Sequence, residues 1–337
     1  MDDAPPPSDA RRRVRTALTV ALSAALLVAL LLSVDPPALR AALAAADRGL
    51  LAWAAGLSLC IHLIVEPLLL WWILRLMGHR LPPRDVWFML VAVAPLKLLT
   101  PAKSGVLFGA IYLRRRHGTP TAEALSAMLV DKAHNAAWML SVLTLLVLAG
   151  FDAAWLERAP LTALAAAGAT TLAALAGAWL LRGRLRSLAG AALATTPRLR
   201  EKLGQLTAAL WKLTWSQQLG LFVATGVIVS AGFVQMYLML RAAGVAVPLG
   251  TAYLTMPLIV LAGTLPVTAG GVGSREAAIL LLFVAWGSPE QLLLAGLLNT
   301  GVHYLLPGLL GLPLVPKLLA EPDAALNDLQ IDPMQPG

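Results

Sequence analysis

The sequence has little charge and almost no cysteine. Of its 337 residues, 13% are Asp, Glu, Lys or Arg, about half the share of a soluble domain (about 25%). So few polar groups cannot cover a globular surface, which argues against a soluble enzyme. The 58% hydrophobic content argues equally against a disordered chain. The one cysteine, Cys60, lies in an apolar run, so this chain alone makes no disulfide framework and no thiolate zinc site. Of the five histidines, none stands in an HExxH or HxH pattern. Metal chemistry is therefore not expected, and no cofactor is implied. No Walker motif is present, so nucleotide-driven work is not expected either.

What remains is a long series of apolar runs, with a mean hydropathy of +0.75. That reads as an all-α polytopic membrane protein. The net charge of +8 fits basic cytoplasmic loops better than nucleic-acid binding. Residues 1–15 form a basic, cytoplasmic N-terminus, 16–318 a transmembrane domain, and 319–337 a flexible polar tail. Full spans are predicted near 16–34, 50–77, 120–150, 160–181, 217–240 and 289–316. The first could be a signal peptide, but its end lacks a small-residue cleavage site, and it reads as a retained helix. The basic stretch 182–212 is expected to be a cytoplasmic loop with an interfacial helix bearing Trp211 and Trp215. On this layout 18 of the 26 Lys and Arg are cytoplasmic and only Arg40, Arg48, Arg158 and Arg241 lie outside. Both termini are then cytoplasmic and the protein sits in the inner membrane.

Two regions are too short and too interrupted to be plain spans. The first, 85–113, breaks at Pro101-Ala102-Lys103-Ser104-Gly105 and is followed by Gly118-Thr119-Pro120. The second, 249–287, breaks at Pro266-Val267-Thr268-Ala269-Gly270 and is followed by Gly287-Ser288-Pro289. Half-length pieces around a Pro/Gly break suggest re-entrant helical hairpins. In each G-[ST]-P triplet the hydroxyl caps the next helix and Pro takes its first position; Ser288 with Gln291 adds a capping box. Three spans separate the hairpins, and an odd number inverts direction. The expectation is six full spans plus two re-entrant hairpins in an inverted repeat, about eight membrane segments by hydropathy.

Charges inside apolar context mark the candidate chemistry. In Leu265-Pro266 to Glu276, glycines free backbone N–H groups and a helix is predicted to start at Ser274. Arg275 adds a guanidinium suited to phosphate or carboxylate, and Glu276 can balance it. A tight turn with an Arg–Glu ion pair would look the same. Lys97 and Lys103 flank the first break, where snorkelling to the interface is the plainer alternative. Asp131, His134 and Asn135 share a helix face by spacing, with Lys132 about 100° away. They suit a relay beside a cavity, or a polar helix contact. The pairs His62–Glu66 and Asn299–His303 suit helix association or a proton-coupled step. The candidate substrate contacts are Lys103, Ser104, Asp131, His134, Thr268, Gly270, Gly271, Gly273, Ser274, Arg275 and Glu276; no metal ligand and no catalytic set is assigned.

The stretches Thr100 to Gly105 with Tyr112-Leu113-Arg114 and Asp131-Lys132, then Leu265-Pro266, Gly270-Gly271-Val272-Gly273 and Arg275-Glu276, carry a resemblance. Across roughly residues 15–318 the chain resembles the transmembrane region of lysylphosphatidylglycerol synthases, a flippase-like family. The first stretch departs from the usual form, in which the break is richer in glycine and often acidic. The resemblance implies a lipid flippase, with Arg275, Glu276 and the Gly270–Gly273 loop at the headgroup and Lys103 and Asp131 opposite. The synthases' soluble aminoacyl-transferase domain would follow this region; with Gly337 last here, the synthase reaction is not expected. The leading expectation is a non-enzymatic lipid transporter moving an anionic or phosphate-linked lipid between leaflets, with the bilayer and that lipid as partners and no nucleic acid. An intramembrane transferase using His134 or Glu276, or an accessory subunit of an envelope-biosynthesis enzyme, are the alternatives. A homo-oligomer is compatible with each.

Overall fold

A computed structural model describes residues 9–99, 105–148, 212–264 and 268–320. Every regular element among the described residues is helical. Helix α1 (Asp9–Leu32) leads to α2 (Pro36–Ala45), and the two bend by 87° at a break of a few residues. Asp35 caps α2 by accepting from the Ala38 N–H, and Pro36 takes the first position, where no N–H is needed. The stretch 35–49, between the first two predicted spans, is thus mostly helix.

Helix α3 (Arg48–Leu76) starts at Asp47, whose carboxylate accepts from the Gly49 and Leu50 N–H groups at 2.8 and 3.0 Å. Helices α4 (Pro83–Leu99) and α5 (Val106–His117) form the first hairpin. They run antiparallel, because Gly109 packs against Met89 and Val93. Gly118 ends α5 in a left-handed conformation that Pro120 follows. Helix α6 (Thr121–Leu148) and helix α7 (Trp215–Ala242) are each 28 residues long. Helices α8 (Leu249–Thr264) and α9 (Ser274–Phe283) form the second hairpin, and α9 starts at the predicted residue. Helix α10 (Pro289–Leu319) begins with the predicted box: Ser288 Oγ accepts from the Gln291 N–H, and Gln291 Oε1 from the Ser288 N–H.

Among the described residues three helices are long and apolar enough to cross a membrane, α3, α7 and α10, or four if the bent pair α1–α2 is one span. Helix α6 has the length, but Glu123, Asp131, Lys132 and His134 interrupt its apolar surface. The predicted span 160–181 and most of the interfacial stretch lie outside the described residues.

Two buried clusters hold the helices together. One joins α4, α5 and the second half of α3 through Ile73, Met89 and Leu113, and takes Val130 from α6. The other joins α8, α9 and α10 through Leu254, Phe283 and Leu292, and takes Leu145 from α6. Each hairpin therefore has its own core, and α6 and α7 belong to both. Small residues permit the closest crossings: Gly226 of α7 lies against the Trp138 ring, and Gly311 of α10 against the Val91 carbonyl and Pro95.

Helices α3 and α10 share an irregularity. Each holds a π turn, at Ile61–Val65 and Thr300–Leu305, followed by a proline, Pro67 and Pro307. Proline has no N–H to continue the ladder. The residue before each proline instead bonds five residues back, Glu66 N–H to Ile61 O and Leu306 N–H to Gly301 O. Each turn carries a histidine, and the rings of His62 and His303 meet edge to face with centroids 4.5 Å apart.

Candidate functional site

Between the two hairpins lies a cavity of about 690 Å³, within the usual range for a small-molecule site (about 300–1,000 Å³). Helix α3 lines it with His62 and Glu66, α4 with Lys97, and α6 with Lys132 and Asn135. Helix α7 adds Gln235, the second break adds Gly270 and Arg275, and α10 adds Asn299, His303 and Tyr304. The rest of the wall is mostly aliphatic.

Arg275 is the most firmly held of these. It is 3% exposed. One guanidinium nitrogen donates to Thr300 Oγ1 and the other to the Gly270 carbonyl, each at 3.2 Å. The guanidinium carbon lies 3.9 Å from the centre of the Tyr304 ring, a cation–π contact. Glu276 is fully buried. It accepts from the Gly273 N–H at the start of α9 and, at 2.6 Å, from Thr300 Oγ1. The two charges of the second hairpin are thus joined through one hydroxyl, rather than by the direct pair that the sequence suggested.

The glycines of this break are required. Gly270, Gly271 and Gly273 have φ of +64°, +78° and +90°, a region that L side chains disfavour. A Cβ on Gly271 would also collide with the Gly263 carbonyl. Thr268 and Ser274 exchange a hydroxyl hydrogen bond at 2.9 Å, and Ser274 also donates to the Gly271 carbonyl. These two side chains lock the break; neither lines the cavity.

The first hairpin contributes differently. Lys97 stands in the last turn of α4, with Glu66, Lys132 and Asp131 as the charged groups acting on it. Lys132 Nζ pairs with Asp131 at 2.7 Å and leaves 68% of its side chain exposed. Glu66 Oε2 lies 3.2 Å from His62 Nδ1. Lys103 and Ser104 fall outside the described residues.

Of the residues singled out from sequence, the structure brings Gly270 and Arg275 to the cavity wall, with Lys97, Asn135, His62, Glu66, Asn299 and His303. Gly271, Gly273, Ser274, Thr268 and Glu276 lie behind it, shaping the break. On α6 the face differs from the one expected: Lys132, Asn135 and Met139 line the cavity. His134 is 4% exposed and its Nδ1 meets the Val130 carbonyl at 2.8 Å. Asp131 reaches the cavity only through Lys132.

Three residues were missed. Tyr304 and Thr300 hold Arg275, and nothing in their sequence context marks them. Gln235 is 1% exposed, lines the cavity, and neither amide atom has a partner among the described residues. A glutamine deep in a 28-residue apolar helix, away from Gln217 and Gln218 at its start, was a readable signal, since a buried amide without a partner is costly.

The family described as the lysylphosphatidylglycerol synthase transmembrane region matches residues 16–311. No curated protein and no solved structure matches the chain. The match covers both hairpins, the π turns and the whole cavity wall, so the chain is a membrane protein belonging to the lysylphosphatidylglycerol synthase transmembrane-region family.

Proposed function

We propose that the protein is a lipid flippase that moves a lipid with an anionic or phosphate-linked headgroup between the leaflets of the inner membrane. The observation that carries this reading is the cavity between the hairpins, where Lys97, Lys132 and Arg275 converge from three helices on a largely aliphatic wall. Charges in a transmembrane domain are costly and mark substrate paths. A guanidinium and two ammonium groups suit a phosphate, while the aliphatic wall and the bilayer suit acyl chains. In this proposal the chain has six full spans and two re-entrant hairpins, about eight membrane segments in an inverted repeat, with both termini cytoplasmic. The hairpins open to opposite sides and meet at the cavity.

An intramembrane transferase is the weaker reading. Its two base candidates, His134 and Glu276, are both buried and already hydrogen-bonded away from the cavity. The deciding experiment uses the purified chain in phosphatidylcholine vesicles with NBD-labelled phosphatidylglycerol, with dithionite reporting leaflet exposure. Wild type should expose the inner-leaflet probe, chemically unchanged, and Lys97→Gln should slow it. Exposure equal to that of protein-free vesicles would overturn the reading. A chemically altered probe would favour the transferase.

A further inference from the structure

The transport reading uses the cations of the cavity; it leaves the histidines unexplained. Helices α3 and α10 each give up regular hydrogen bonding at a π turn, and each turn carries a histidine. Such turns cluster at functional sites. The turns are bound together: Ser58 of α3, fully buried, donates to the Val302 carbonyl of α10 at 3.2 Å. From the cavity wall, Glu66 contacts His62, His62 packs on His303, and His303 packs on Tyr304 with centroids 4.7 Å apart. Tyr304 in turn covers Arg275. The histidines and the anion-binding arginine thus share one connected surface.

We propose that His62, paired with Glu66 and packed on His303, is a proton-binding site that couples proton movement to passage of an anionic headgroup. The inference rests on the transport reading and adds the coupled ion to it. With Nδ1–H directed at the Glu66 carboxylate, the lone pair is on Nε2, an enclosed atom without a partner among the described residues. A proton adds to that lone pair and no bond breaks; His62 goes from neutral to +1 beside Glu66. A phosphodiester headgroup brings −1. The loaded cavity then gains no net charge, so the cost of carrying an uncompensated charge across low dielectric is avoided.

The surrounding charges set the sign of the coupling. On the same helix the Glu66 carboxylate faces His62. Around the pair stand Lys97 of α4, Lys132 of α6 with its partner Asp131, and Arg275 of α9 with Glu276 behind it. Helix α10 adds His303 and Tyr304, and α7 adds the uncharged Gln235. A phosphate that neutralises the three cations makes protonation easier, and protonation makes the phosphate easier to hold. By linkage the two enhancements are equal.

The test is a distribution, not only a rate. The full chain goes into phosphatidylcholine vesicles with NBD-phosphatidylglycerol, and a pH gradient is imposed. With one proton moving per lipid, a gradient of one unit should drive about a tenfold enrichment of the probe in the leaflet facing the alkaline side. His62→Gln and Glu66→Gln should abolish the enrichment, with folding checked by monodisperse elution. An even distribution in wild type at every gradient, with exchange still faster than in protein-free vesicles, overturns the coupling and leaves the transport reading standing. If wild type shows no exchange at all, the transport reading fails, and the proton site is judged alone by 15N-histidine NMR of the purified chain. A signal lost in His62→Gln that titrates between about pH 5 and 9 and moves in Glu66→Gln supports the site. A signal that stays constant across that range overturns it.

Discussion

The two hairpins are alike in outline and opposite in how they are held. The first is pinned at its base. His117 at the end of α5 pairs with Asp85 at the start of α4 at 2.9 Å. Just outside, His79 pairs with Glu123 at 2.7 Å, and the Trp71 indole donates to the Leu81 carbonyl. The second is locked at its tip, where Arg275, Glu276, Thr268 and Ser274 close the break onto Thr300 and the Gly270–Gly273 backbone. The difference separates two jobs. A charge fixed by internal partners keeps its position whether or not a ligand is present. Lys97, in the last turn of a helix pinned at its far end, takes its charged neighbours from other helices. On the proposed function, the second hairpin would supply a rigid anion anchor, and the first would supply charge that answers to what enters the cavity.

The comparison breaks most visibly at glycine. Gly271 of the second tip and Gly118 of the first base both have positive φ, +78° and +66°. Beyond Gly118 a Cβ meets nothing within 4 Å, while at Gly271 it meets the Gly263 backbone. Gly118→Ala should therefore cost only the backbone strain, about 1–2 kcal/mol. Gly271→Val should cost more than about 4 kcal/mol and yield no folded protein. Fluorescence-detected gel filtration in mild detergent separates the two; equal yields would show that the tip is not rigid.

Thr300 sharpens the point. It is the hydroxyl between Arg275 and Glu276, and it is 7% exposed. Thr300→Val removes a donor from a buried carboxylate and an acceptor from a buried guanidinium. The expected loss is about 2–3 kcal/mol, read as a lower midpoint in thermal unfolding, with Thr300→Ser close to wild type. Asp85→Asn at the base of the first hairpin should cost about 1 kcal/mol, because the amide oxygen can still accept from His117. At Lys97 the expected order reverses. Lys97→Met should leave the unfolding midpoint unchanged or slightly raised, since a charge is removed from a largely aliphatic wall. The same change should slow exchange of NBD-phosphatidylglycerol about tenfold, near 1.4 kcal/mol of lost headgroup attraction.

Much of this was legible because it is local. The glycine-rich turn at 270–273, the start of α9 at Ser274 and the Ser288–Gln291 box follow from backbone rules that operate within a few residues. The inner face of α6 did not follow. Spacing correctly separates Lys132 from Asp131 and His134, but it cannot say which side meets the cavity. That depends on α3, α7 and α8 packing around the helix from distant parts of the chain. The π turns escaped for a related reason. Pro67 and Pro307 look like ordinary proline interruptions, and only the packing of two helices shows their histidines in contact. Thr300 is invisible in sequence because its role exists only where α9 crosses α10.

Gln235 gives the smallest effect and the finest test, since it belongs to neither hairpin. It sits on α7, which both buried clusters share, and it lines the cavity with no partner for either amide atom among the described residues. A buried amide in that position lowers stability unless something in the cavity pairs with it. Gln235→Leu removes the desolvation penalty while keeping the volume, so thermal unfolding should shift upward by the equivalent of about 1 kcal/mol. An amide carries both a donor and an acceptor, which suits the hydroxyls of a glycerol headgroup and not the trimethylammonium of choline. The leucine variant should then exchange NBD-phosphatidylglycerol and NBD-phosphatidylcholine at more nearly equal rates than wild type does. If selectivity survives while stability rises, the amide is only a packing defect, and discrimination rests on the charges that the hairpins supply.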